Sequence, residues 1–119
     1  MSEEKINKLE NLVIDMAIES WRFSRLFVRV ASKLDAGDTT KYVNQLRYFQ
    51  KKIEDSLDEV GLKVVNLEGQ VFDAGMAASA INIEDFEASD VLVVEQMIEP
   101  VIMGGEGLRR SGVVMVRKV

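Results

Sequence analysis

The sequence predicts an α+β protein: an N-terminal helical hairpin built for dimerisation, forming a four-helix bundle in the dimer, followed by a small C-terminal β domain. Three observations lead there. From Ile6 to Val60 the apolar residues recur at alternating gaps of three and four. Glycines at 37 and 61 punctuate that pattern. Beyond Gly61 the chain changes to short runs rich in valine and isoleucine with rough alternation, the mark of strands. The boundary therefore falls at residue 61, with a helical dimerisation region over 1–61 and a β domain over 62–119.

The first helix carries Ile6, Leu9, Val13, Met16, Phe23, Phe27, Val30 and Leu34, a heptad seam of about four repeats in which Ser20 fills one slot. A second stripe runs beside it through Ile14, Ile18, Trp21 and Val28, with Arg25 as its polar exception. A surface helix with one apolar stripe buries it against one neighbour; two stripes require neighbours on two sides. The helix is expected to stop near "DAGD" (35–38), with Gly37 in a left-handed C-terminal position and Asp38 capping the next helix.

The second helix repeats the spacing with Val43, Leu46, Ile53, Leu57 and Val60, interrupted by Gln50 and widened by Tyr42 and Phe49; Gly61 ends it. Its charged residues, Lys51, Lys52, Glu54, Asp55, Asp58 and Glu59, lie off the seam and read as a solvated surface. Two helices of unequal length cannot bury all these stripes against each other. A homodimer satisfies them with the same residues used twice, and Val13, Met16, Phe23, Phe27, Val30, Leu46, Ile53 and Leu57 are the expected interface. The alternative is that the helices pack on their own β domain.

In the second half, "LKVVNLE" (62–68), "VLVVEQMI" (91–98), "PVIM" (100–103) and "GVVMVRKV" (112–119) read as strands, and a short buried strand is expected near "SAINI". Pro100 lacks a backbone donor and belongs at a strand start, edge or bulge. The glycine-rich run "MGGEGLRR" (103–110) raises the question of a phosphate loop. Such a loop leads into a helix N-terminus, whereas strand-like residues follow this one; Leu108 and Arg109 stand where a lysine and a hydroxyl residue are needed, and Glu106 would repel phosphate. It reads instead as a hairpin tip that projects Arg109 and Arg110, either as solvated charge or as contacts for a partner's carboxylate.

Composition narrows the functional classes. The chain of 119 residues suits one compact unit or two small lobes. It has no histidine and no cysteine, which removes the usual proton shuttle, the commonest metal ligands and any Ser-His-Asp arrangement. Neither a catalytic residue, a metal nor a cofactor is expected. The acids Asp73, Glu84, Asp85, Glu87 and Asp90 lack the alternate spacing of an oxygen-ligand loop and read as solvated. A net charge of −5 argues against nucleic acid as partner, and no apolar run approaches a membrane span. The polar, acidic start "MSEEKINKLE" is not a secretory signal, and a cytoplasmic location is expected.

A helical dimerisation half followed by a compact β half resembles GrpE, the nucleotide exchange factor of DnaK-type chaperones. The stretches that carry the resemblance are "VGLKVV" (60–65), "VFDAGMAASAI" (71–81), "VLVVEQMIEPVIM" (91–103) and "LRRSGVVMVRKV" (108–119). They follow the family's order: a helix end running into a Gly-Val strand, an aspartate turn, a strand with a corner, and an arginine-bearing closing strand. The family's proline after the aspartate is Ala74 here, its histidine is missing near Ala78, and its Lys-Gly-Tyr corner reads Pro100-Val101-Ile102.

The resemblance implies a parallel homodimer whose β lobe presses into the nucleotide-binding domain of a DnaK-type chaperone, opens its cleft and speeds ADP release. It implies partner contacts at Ile98, Arg109, Arg110 and Val116, a helix-to-lobe junction at Gly61 and a turn at Asp73 that caps local backbone. The alternative is a GrpE-like structural or adaptor dimer that has lost exchange activity.

Overall fold

The computed structural model describes residues 2–119. The architecture is α+β: two N-terminal helices packed as a hairpin, then two small β-sheets that form a C-terminal β region. The chain divides into two compact units, Met1–Gly61 and Leu62–Val119.

In the first unit, α1 spans Glu3–Ala31 and α2 spans Ala36–Glu59. At the start of α1 the Ser2 hydroxyl accepts from the Lys5 N–H, with Glu3 and Glu4 placed favourably in the first turn. The connection lies three residues earlier than the sequence predicts. The helix stops at Ala31, and Asp35, not Asp38, caps α2: its Oδ1 accepts from the Asp38 N–H at 2.9 Å. An aspartate three residues earlier offers the same cap, so Gly37 falls inside the first turn of α2 rather than ending α1. Thr39 locks the corner by donating its hydroxyl to the Ala31 carbonyl at 2.7 Å, which satisfies one of the groups left open at the end of α1.

The seam between the helices also differs from expectation. On α1 the buried residues include Ala17, Ser24 and Ala31, three small residues seven apart, lying between the two apolar stripes. Small side chains bring the helix axes close, and Leu46 and Leu57 of α2 are the residues it buries. Ser24 keeps its hydroxyl satisfied by donating to the Ser20 carbonyl at 2.8 Å. The second stripe is split: Ile14 and Ile18 are buried, whereas Val28 stays exposed. Arg25, its polar exception, places its guanidinium 4.3 Å from the Trp21 ring centroid, a cation–π contact that lets a charged residue occupy an apolar stripe. Gly61 terminates α2 with φ +77°, donating its N–H to the Asp58 carbonyl.

In the second unit, β1 (Lys63–Val65), β2 (Ala78–Ala80), β3 (Leu92–Glu99), β4 (Val101–Gly104), β5 (Gly107–Arg110) and β6 (Gly112–Lys118) form two three-stranded sheets, ordered β1-β4-β5 and β2-β6-β3. One bent hairpin underlies both. β3 pairs antiparallel with β6, and β4 pairs antiparallel with β5, so residues 92–118 run out and back while changing sheet at Pro100 and Ser111. Buried Pro100, unable to donate, marks the first corner. Gly112 marks the second: a Cβ there would stand 2.8 Å from the Met97 methyl and 3.0 Å from the Glu99 carbonyl oxygen. The core of the unit includes Val94, Met97, Ile102, Val114 and Val116.

The hairpin tip is tighter than predicted. It closes across Gly104 and Gly107 with Gly105 and Glu106 at the turn, and the next four residues form β5. "MGGEGLRR" therefore turns the chain round, and its arginines belong to a strand. The expected strand over 62–68 shortens to Lys63–Val65 because the following residues satisfy one another: the Asn66 side chain accepts from the Glu68 N–H, and the Glu68 carboxylate accepts from the Met97 N–H at 2.9 Å. The "SAINI" strand is Ala78–Ala80, parallel to β6 and half-exposed, and Ile83–Asp85 is a 3₁₀ turn.

Candidate functional site

The hairpin of the first unit has one side still apolar after its helices have packed. Met16 is 70% exposed and Phe23 57%, although a single chain offers both a whole second helix to pack against. Val13 and Val30 are likewise exposed, and Phe27 is half-buried between Phe23 and the edge of the Tyr42 ring. Of the α2 residues expected at an interface, Leu46 and Leu57 are buried within the single chain and Ile53 is half-buried, so they support this face from beneath. Ser20 leaves a notch in the face, and a groove of about 290 Å³ runs past it between Val13, Met16, Ile53 and Leu57. A second, shallower groove of about 600 Å³ lies beyond Met16, reaching Leu12, Phe23 and Phe49. A ridge with hollows on both flanks is the relief that helix packing requires of a partner surface.

Sequence reading missed two members of this face. Leu12 is 48% exposed and Leu26 52%. Their signal was present: both keep three-four spacing with Met16, Phe23 and Val30, in a register that swaps Val13 and Phe27 for their chain neighbours.

In the second unit the predicted contact residues do not converge. Val116 is 1% exposed; its side chain belongs to the core and gives no surface to a partner. Ile98 on β3 is half-exposed. Arg109 and Arg110 are neighbours in β5 and both are half-buried; a β-bulge there sets Arg110 opposite Ile102 and Leu108 opposite Met103, with Arg109 as the inserted residue. The Arg109 stem crosses Gly104, where a Cβ would meet it at 3.0 Å. Asp73 accepts from the Gly75 N–H at 2.7 Å, closing a local turn.

Two features of this unit were invisible to spacing arguments. Asn82 is one. Its amide donates to the Val116 carbonyl at 2.7 Å and its side-chain oxygen accepts from the Val116 N–H at 3.0 Å, so a side chain stands in for one rung of strand pairing. Asp90 is the other. It accepts from the Glu87 N–H at 2.9 Å and pairs with Lys118 at 3.3 Å, tying the loop before β3 to the end of β6. The Glu87 amide, helped by the Lys118 ammonium, holds its carboxyl below the ordinary aspartate value. The cap at Asp35 acts similarly, with the Asp38 N–H lowering its carboxyl.

Among the described residues no three acidic side chains gather as a metal site, and no helix is long and apolar enough to cross a membrane. Comparison of the chain with models of known families, with curated proteins and with solved structures finds no match.

Proposed function

We propose that this chain is a homodimeric co-chaperone, dimerising through α1 and α2 and acting through its β unit as a nucleotide exchange factor for a DnaK-type chaperone. The observation that carries the reading is the apolar side of the hairpin, open to water in one chain and attached at Gly61 to a separately folded β unit. That element order is what the resemblance to GrpE implies, and the four matching stretches run from the end of α2 to the end of β6.

The mechanism needs only differential binding. A β unit that fits the open form of the chaperone's nucleotide-binding domain better than the closed form shifts the population towards open, and by reciprocity lowers affinity for ADP. A tenfold loss of ADP affinity corresponds to about 1.4 kcal/mol of preference for the open form. Within this reading Ile98 offers apolar contact. Arg109 and Arg110 offer charge at the bulge of β5 for a carboxylate of the chaperone. Val116 supports the surface from the core, and Asp73 shapes the turn. The exchange factor contributes no catalytic group, metal or cofactor; nucleotide is handled by the partner.

A second reading is a GrpE-like adaptor dimer without exchange activity. The buried corner Pro100-Val101-Ile102, which stands where the family has Lys-Gly-Tyr, favours it. Release of fluorescent ADP from the chaperone, followed with increasing dimer, separates the two. Acceleration that saturates supports exchange; a complex that ATP dissociates but that leaves the ADP release rate unchanged supports the adaptor. Failure of the chain to bind any DnaK-type chaperone refutes both.

A further inference from the structure

We infer that Glu19 limits the affinity with which a second copy of this chain pairs along α1. The inference rests on the dimer proposed above. Stepping from Leu9 in alternate gaps of three and four reaches Leu12, Met16, position 19, Phe23, Leu26 and Val30. All are apolar except position 19, and their exposure runs from 44% at Leu9 to 70% at Met16. The next steps outward are Lys5 in one direction and Lys33 in the other.

The occupant that fits is a second copy. Six large side chains at roughly half exposure leave on the order of 600 Å² open per chain, so two copies face to face cover about 1,200 Å², the lower bound of a standard stable interface. Partial overlap falls below that bound.

The seam reads the same from both ends: lysine, three apolar residues, glutamate, three apolar residues, lysine. The overlap that covers every apolar side chain therefore brings Glu19 opposite Glu19 of the second copy, whether the helices run parallel or antiparallel. A slip of one heptad uncovers apolar residues at the ends, so the aligned overlap is favoured by the area it covers and keeps a like-charge contact at its midpoint. Arg22 stands beside it, its Nη1 3.4 Å from the Glu19 carboxylate on an exposed flank, and offsets part of the repulsion in the aligned pair.

Analytical ultracentrifugation of the full chain tests this with Glu19→Leu, the near-isosteric Glu19→Gln, and Leu26→Asp. Glu19→Leu should tighten the dimer on the order of ten- to a hundredfold by removing a like-charge contact, and Glu19→Gln by less. Leu26→Asp should weaken it. Mixed with wild type, differently tagged Glu19→Lys should form heterodimers well above the statistical share of about half, since opposite charges then meet at the midpoint. If Leu26→Asp breaks the dimer while all Glu19 variants leave affinity and mixing unchanged, this inference falls and the dimer stands. If Leu26→Asp has no effect, the interface lies elsewhere and the inference also falls. A wild-type monomer that Glu19→Leu leaves monomeric removes the dimer and the inference together.

Discussion

Replacing Asn82 with alanine removes two hydrogen bonds that β6 cannot replace. The Asn82 side chain donates to the Val116 carbonyl at 2.7 Å and accepts from the Val116 N–H at 3.0 Å, and Val116 is 1% exposed. Loss of the asparagine leaves one donor and one acceptor unsatisfied beside a buried residue. A net hydrogen bond contributes about 1 kcal/mol, and a stranded buried polar group costs roughly 1–3 kcal/mol. Water entering from the exposed side of Ile81 relieves part of this, so the expected loss is about 2–4 kcal/mol. That is a large share of the roughly 5–15 kcal/mol that holds a domain of this size together. Urea unfolding followed by far-ultraviolet circular dichroism reads the loss of stability, and hydrogen exchange at the Val116 amide reads the bond itself. Asn82→Asp is a useful second variant: it retains the acceptor, discards the donor and faces a carboxylate towards the Val116 carbonyl, so it should be no more stable than the alanine variant. An alanine variant within about 0.5 kcal/mol of wild type, the range of neutral surface changes, with Val116 protection intact, would refute the side-chain rung.

Gly112→Ala should destabilise by about 1–3 kcal/mol, the usual cost of overpacking, because the new methyl meets the Glu99 carbonyl as well as the movable end of Met97; thermal unfolding measures it. Phe27→Asp should leave mostly monomer by sedimentation while the helical signal persists, since Phe27 is half-buried beside Phe23 and Tyr42 and is not part of the α1–α2 seam of small residues. Acid should destabilise the chain through Asp35 and Asp90. Both carboxyls lie below their ordinary value of 3.8 in the folded chain, so the unfolded chain binds protons first; their contribution is complete above that value and lost as pH falls through the folded one. Urea midpoints measured from about pH 6 down to about pH 2 should therefore fall, and Asp90→Asn should flatten that limb.

The sites were legible to different degrees. Gly61 and Asp73 could be read directly, because a glycine closing an apolar-seamed helix and an aspartate two residues before a glycine are local devices. Leu12 and Leu26 were half-legible: a helix with apolar residues in two overlapping heptad registers does not say which register its own hairpin uses. The burial of Val116 and the bulge at Arg109 were hidden, since both depend on which strands pair and in what register.

By itself the sequence determined the α+β order, the two helices and their end at Gly61, the four longer strand runs, and the turn at "MGGEGLRR", because these follow from periodicity and backbone preference over a few consecutive residues. Only the tertiary structure decided that Ala17, Ser24 and Ala31 form the inner seam, that one hairpin bends across two sheets at Pro100 and Ser111, and that Asn82 completes a strand from its side chain. Those choices turn on how closely two backbones approach and which polar groups remain to be satisfied, quantities set between segments far apart in the chain.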